Sequence, residues 1–66
     1  MIHLIGTNAG LVWRALHKCG RLRVRELRKE TKIRTEKDVY AAIGWLAKEG
    51  KIELSEEEGE VFVWLT

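Results

Sequence analysis

The run Glu60-Val61-Phe62-Val63-Trp64-Leu65 constrains the fold of this chain most, because it is apolar on both of its faces. In an extended segment successive side chains point to opposite sides, which puts Val61, Val63 and Leu65 on one face and Phe62 and Trp64 on the other. Such a strand needs cover on both sides, beyond what a single sheet layer provides. The preceding run Lys51-Ile52-Glu53-Leu54-Ser55 alternates polar and apolar residues and is expected to bury Ile52 and Leu54. Glu56 to Gly59 then supply a glycine-containing loop, so the two runs read as a β-hairpin. With 66 residues in all, the chain has material for one core and reads as one domain, residues 1–66. A domain of this size buries only roughly 60% of the surface its unfolded chain exposes. Cys19 is the sole cysteine, so no disulfide staples the fold, and it reads as a small buried hydrophobe.

The first 50 residues, where the spacing is helical, offer cover for one face of the hairpin. After the short apolar start Ile2, Leu4, Ile5, a first helix is expected with Thr7 or Asn8 as its N-cap and Gly20 as its stop. Val12, Ala15, Leu16 and Cys19 recur at steps of three and four as its core face, with Trp13 beside them and Arg14 and Lys18 opposite. Arg21-Leu22-Arg23-Val24-Arg25 alternates basic and apolar, as in a short strand or a connector, and buries Leu22 and Val24 in either reading. A short second helix follows from about Val24 to Thr31, then a turn, Lys32-Ile33-Arg34, with Ile33 tucked inward. Thr35 is the expected N-cap of a third helix, with Asp38 placed to complete a capping box. Val39, Ile43, Leu46 and Ala47 make its buried stripe, Gly50 ends it, and Lys37, Tyr40, Ala41, Gly44 and Lys48 face outward.

Helix, connector, helix, tight turn, helix, hairpin is the element order of the winged helix-turn-helix fold, an α+β architecture with three helices and a C-terminal wing. More narrowly, Ile5-Gly6-Thr7-Asn8-Ala9-Gly10 followed by Val12-Trp13 and Leu16 is one half of a resemblance. Gly44-Trp45-Leu46-Ala47 and Glu49-Gly50-Lys51-Ile52 are the other. Together they resemble a small stand-alone winged-helix family of unknown function in bacteria and archaea. That resemblance implies the fold and a homodimer, and it implies no activity. One position departs from the pattern: where such domains commonly hold a Ser or Thr capping the second helix, this chain has Arg23.

Charge is distributed unevenly. Residues 1–34 carry nine basic against two acidic side chains, a net +7, whereas residues 35–66 carry three against eight, a net −5. A basic helix-turn-helix suggests duplex DNA, with the third helix in the major groove and neighbouring cations on phosphates. Arg25, Arg28, Lys32, Arg34, Lys37 and Tyr40 are the expected contacts. The third helix offers no Arg, Asn or Gln outward for bidentate base contacts, so specific readout is poor. Glu56, Glu57, Glu58 and Glu60 at the wing would be repelled by phosphate, so the wing is not expected to lie in a groove. The alternative reading of the basic run is a solvated helix face in which Glu26 and Glu30 relieve repulsion.

A second function class is a protein-interaction module, most simply a homodimer through Ile2, Leu4, Phe62 and Trp64, since aromatic residues enrich interface cores. The opposite charges of the two halves would then steer association. Cover of the same face within one chain is the competing reading. Trp13 and Trp45 are assigned to the core and Trp64 to the surface. Catalysis is not expected. His3, His17 and Cys19 are the only imidazole and thiol groups, and His17 and Cys19, two apart on a helix, point to different faces. The glutamate run lacks the spaced ligands of a calcium loop and reads as a solvated loop. No cofactor, metal or small-molecule substrate is implied. No apolar run approaches the roughly 18 residues of a membrane span, and Met1 to Gly10 lack the features of a signal peptide, so a cytoplasmic location is expected.

Overall fold

The computed structural model describes residues 2–66, and side chains from His3 onward. Six elements follow in order: α1 (Ile2–Cys19), β1 (Leu22–Arg23), α2 (Val24–Thr31), α3 (Glu36–Lys48), β2 (Ile52–Glu57) and β3 (Glu60–Leu65). The strands form one antiparallel sheet in the order β1-β3-β2. The doubly apolar run is therefore the central strand. Its Val63 face, with Ile52, packs on the three helices around Val12, Leu16, Leu27, Val39, Ile43 and Leu46.

Helix α1 begins well before the expected cap. Thr7 lies inside it, its hydroxyl donating to the His3 carbonyl at 3.0 Å, and Asn8 is buried. The apolar stripe extends backward from Val12 through Ala9 to the half-buried Ile5, so helical spacing already covers the segment taken for an approach. Cys19 is exposed rather than buried, because residues 17–21 all project past the core. Gly20, at φ +84°, donates its N–H to the Leu16 carbonyl at 2.7 Å and closes α1 in the left-handed geometry that glycine adopts freely.

Both readings of residues 21–25 meet here, since a two-residue strand leads directly into a helix. The Arg23 side chain has no acceptor for the open amides of α2. Instead the Glu26 carboxylate reaches back and accepts the Arg23 N–H at 2.9 Å, which is the reciprocal half of a capping box. Thr31 and Ile33 close the turn: the Thr31 hydroxyl donates to the Leu27 carbonyl at 2.6 Å, and Ile33 is buried against the core. Thr35 caps α3 as expected, accepting the Asp38 N–H at 3.2 Å.

The stripe of α3 is Val39, Ala42, Ile43 and Leu46. Ala47 is exposed, not buried, because at 100° per residue it sits about 90° from the centre of that stripe. Gly50, at φ +71°, ends α3 in a Schellman motif: its N–H bonds the Ala47 carbonyl at 3.0 Å, and the Lys51 N–H bonds the Leu46 carbonyl at 3.0 Å.

In the hairpin β2 runs on through Glu57, so the loop shrinks to Glu58 and Gly59. Both have positive φ, 52° and 81°, as a two-residue type I′ turn requires. Ile52 is buried but Leu54 is 47% exposed, a correction to the expected pair. β2 is an edge strand, and the core cluster covers it only at Ile52. Trp13 and Trp45 are also exposed rather than core residues; each lies to the side of its helix's buried stripe, and Trp13 stacks on His17 with centroids 5.0 Å apart.

Candidate nucleic-acid interface

The two sequence halves of opposite charge meet at the outer face of the sheet. Antiparallel pairing of β1 with β3 sets Arg23 opposite Phe62 and Leu22 opposite Val63. Alternation then turns Leu22 toward the helices and carries Arg23 to the side of Phe62 and Trp64. The Arg21 guanidinium lies 4.3 Å from the Phe62 ring centroid and 5.3 Å from that of Trp64, and Arg23 lies 5.5 Å from Phe62. These distances suit cation–π contact, and the arginine stems cover apolar ring surface. The wing supplies the counter-charges. Arg21 pairs with Glu57, Arg25 with Glu60, and Arg23 with Glu60 at 3.5 Å.

The outer face of β3 is thus covered by arginines of the same chain. Phe62 and Trp64 are half-buried there, while Leu4, 52% exposed, lies on α1, on the helical side of the sheet. The fold does not bring Leu4 together with Phe62 and Trp64, and the Ile2 side chain lies outside the described residues. The expectation of a solvated glutamate loop is likewise corrected, since Glu57 and Glu60 sit in strands and form ion pairs. Sequence reasoning passed over Arg21 and Arg23 as cover. Their signal was the Arg21-Leu22-Arg23 alternation, which matches the pleat of a strand paired to β3.

Of the expected phosphate contacts, Arg25 is committed to Glu60, whereas Arg28, Lys32, Arg34 and Lys37 make no ion pair among the described residues. These four cluster along the α2–α3 turn. The Arg28 Nε–H donates to the Arg34 carbonyl at 3.4 Å, which lays its side chain across the turn. Lys32 holds the left-handed conformation at φ 60° that stops α2, and Lys37 stands in the first turn of α3. Tyr40, one turn further along, is 46% exposed. It borders an open cleft of about 310 Å³ between α3 and the wing, lined also by Arg23, Arg25, Glu36, Gly59 and Glu60.

Three helices, a tight turn between α2 and α3, and a C-terminal hairpin are the parts of one fold family, and the model of one such family matches residues 1–65. The chain belongs to the winged helix-turn-helix domain family DUF2582. The DUF2582 chain is also similar to the solution NMR structure of protein BT2368 from Bacteroides thetaiotaomicron, at 28% identity and a TM-score of 0.85. That match covers 96% of this chain and 76% of the other. No curated protein matches the sequence at a significant level. In DUF2582 terms α3 holds the place of the recognition helix and β2–β3 that of the wing. No helix among the described residues is long and apolar enough to cross a membrane.

Proposed function

We propose that this chain is a non-enzymatic duplex-DNA-binding domain with a regulatory role, holding DNA through phosphates rather than through base edges. The observation that carries the reading is the set Arg28, Lys32, Arg34 and Lys37, cations without carboxylate partners among the described residues, on and beside the turn that leads into the recognition helix. Phosphate contact needs only such charges on a shaped scaffold, whereas base readout needs planar donor–acceptor side chains, and the outward face of α3 has Tyr40, Ala41, Gly44 and Lys48. Family membership supports the same reading. Fluorescence anisotropy with a random-sequence duplex at two salt concentrations tests it. Binding is expected at low salt and is lost steeply as salt rises; the K32A/R34A/K37A variant is expected to flatten the logarithmic salt slope by roughly 2 to 3. Absence of binding at low salt refutes the proposal.

A second reading, self-association, is supported by exposed apolar side chains on α1 and α3: Leu4, Trp13 and Trp45. Trp13 and Trp45 wall an open groove of about 330 Å³ floored by Gly6, Ala9 and Gly10. A dimer is expected to bury these tryptophans and blue-shift their fluorescence with rising concentration. Sedimentation equilibrium giving monomer mass throughout a concentrated series rules this out.

A further inference from the structure

We propose that the cleft between the wing tip and α3 is a phosphodiester-binding site whose arginines Glu60 occupies in the free chain. The inference rests on the DNA-binding reading and adds to it a site and a means of masking it. Two guanidiniums converge on one carboxylate: Arg25 bonds one oxygen of Glu60, and the Arg23 Nε lies 3.5 Å from the other. A phosphate presents the same pair of terminal oxygens with greater charge, and guanidinium forks bind either anion. Tyr40, half exposed on the opposite wall, adds a hydroxyl able to donate to a third oxygen.

The carboxylate is held loosely enough to be exchanged. The Arg25 side chain is 64% exposed and that of Glu60 34%, so water already solvates both partners and their pair is weak. Register adds to this. The type I′ turn sets Glu57 directly opposite Glu60, a like-charge cross-strand pair that is unfavourable alone and is relieved by Arg21 on one side and Arg23 with Arg25 on the other. A duplex that draws Arg23 and Arg25 onto its backbone must therefore leave two facing carboxylates less compensated. Masking follows from this: the wing sets an electrostatic cost on phosphate binding that the four turn cations do not bear.

The test compares E60Q with E58Q, each removing one negative charge from the wing tip, where Glu58 makes no ion pair among the described residues. E60Q keeps the side-chain shape and removes the like-charge pair. Random-duplex affinity of E60Q is expected to rise roughly tenfold at low salt, with the logarithmic salt slope steeper by about 1 to 2 as one or two arginines gain phosphate partners. E58Q is expected to change affinity slightly and the slope not at all, and adding R25A to E60Q is expected to reverse the gain. Equal effects of E60Q and E58Q, or no effect of E60Q, overturn the proposal while leaving DNA binding standing. No binding by any form, wild type included, overturns both. The wild-type chain gives a check that needs no variant: on adding duplex, the side-chain Nε–Hε resonances of Arg23 and Arg25 must shift. If they stay fixed while the Lys37 and Tyr40 amides move, the arginines have remained on Glu60 and the site does not exist.

Discussion

Replacing Gly10 and Gly44 by alanine is expected to stabilise this domain substantially. Both glycines lie inside helices, Gly10 in the middle of α1 and Gly44 nine residues into α3. An alanine at such a site avoids the backbone entropy that glycine loses on folding, a gain of about 0.8 to 1.0 kcal/mol each. The gain is realised only if the new methyl group fits. A Cβ built at either position meets nothing within 4 Å, and neither residue has a positive φ. The two sites lie on different helices and are treated as additive, which gives about 1.6 to 2 kcal/mol in total. In a domain of 60–100 residues each kcal/mol moves Tm by roughly 4 to 8 °C, so the double variant is expected to melt about 6 to 16 °C higher. Urea unfolding followed by far-UV circular dichroism measures the change, with a higher midpoint at unchanged slope. Gly50→Ala is the control: the same methyl at φ +71° in the Schellman motif is expected to cost about 1 kcal/mol or more. A double variant no more stable than wild type would falsify the premise that these helix faces are open in the free chain. It would place a neighbouring backbone or a second molecule against them.

Other perturbations separate the forces that hold the fold. Arg21→Ala is expected to lose about 1 to 2 kcal/mol and Arg25→Ala less than about 1, because Arg25 forms only an exposed ion pair whereas Arg21 also covers Phe62 and Trp64. Repeating the melts in high salt should erase most of the Arg25 effect and little of the Arg21 effect; equal salt sensitivity argues against the ring contacts. Thr35→Ala, which leaves the Asp38 amide uncapped, is expected to cost about 1 kcal/mol in the same urea assay. Leu27→Ala empties a fully buried position and should cost about 2 to 5 kcal/mol, enough to abolish a cooperative transition in so small a domain.

Much of this fold is legible in the sequence because its punctuation is chemical. Gly20 and Gly50 end helices in left-handed geometry, Thr35 caps α3, and the alternation of β3 announces a strand covered on both faces. Where the reading fails, the cause is local information that points two ways. Thr7 and Asn8 have the composition of a cap, yet Ile5, Ala9, Val12 and Leu16 carry helical spacing straight through them. Ala42 and Ala47 are alike in composition and differ only in angle around α3. Leu54 alternates correctly with its neighbours but lies on an edge strand that the helices cover only at Ile52. Exposure of Trp13 and Trp45 depends on what stands beside each helix, which spacing along one helix does not encode. The turn cations were visible as a run of charge. The pairing of Arg21, Arg23 and Arg25 with the wing was not, because it depends on the β1–β3 register.

That register accounts for part of the opposition between the two charge halves, the part carried by Arg21, Arg23, Arg25, Glu57 and Glu60. A three-stranded sheet with helices on one side leaves the other side of its central strand without a second layer among the described residues. Arginines serve in place of that layer, since a guanidinium can lie flat on Phe62 or Trp64 while its edges stay hydrated or bonded to carboxylate. They need anions nearby to avoid mutual repulsion, and Glu57 and Glu60 provide them from the strand next door and from β3 itself. The acidic wing is therefore the counterpart of an arginine-covered sheet, and its charge follows from the way the fold is closed. Among the cations that form no ion pair within the described residues, Arg28, Lys32, Arg34 and Lys37 lie on and beside the turn between α2 and α3. A duplex approaching this domain meets attraction at the turn and, while Glu60 occupies Arg23 and Arg25, repulsion at the wing tip, which favours first docking by the start of α3.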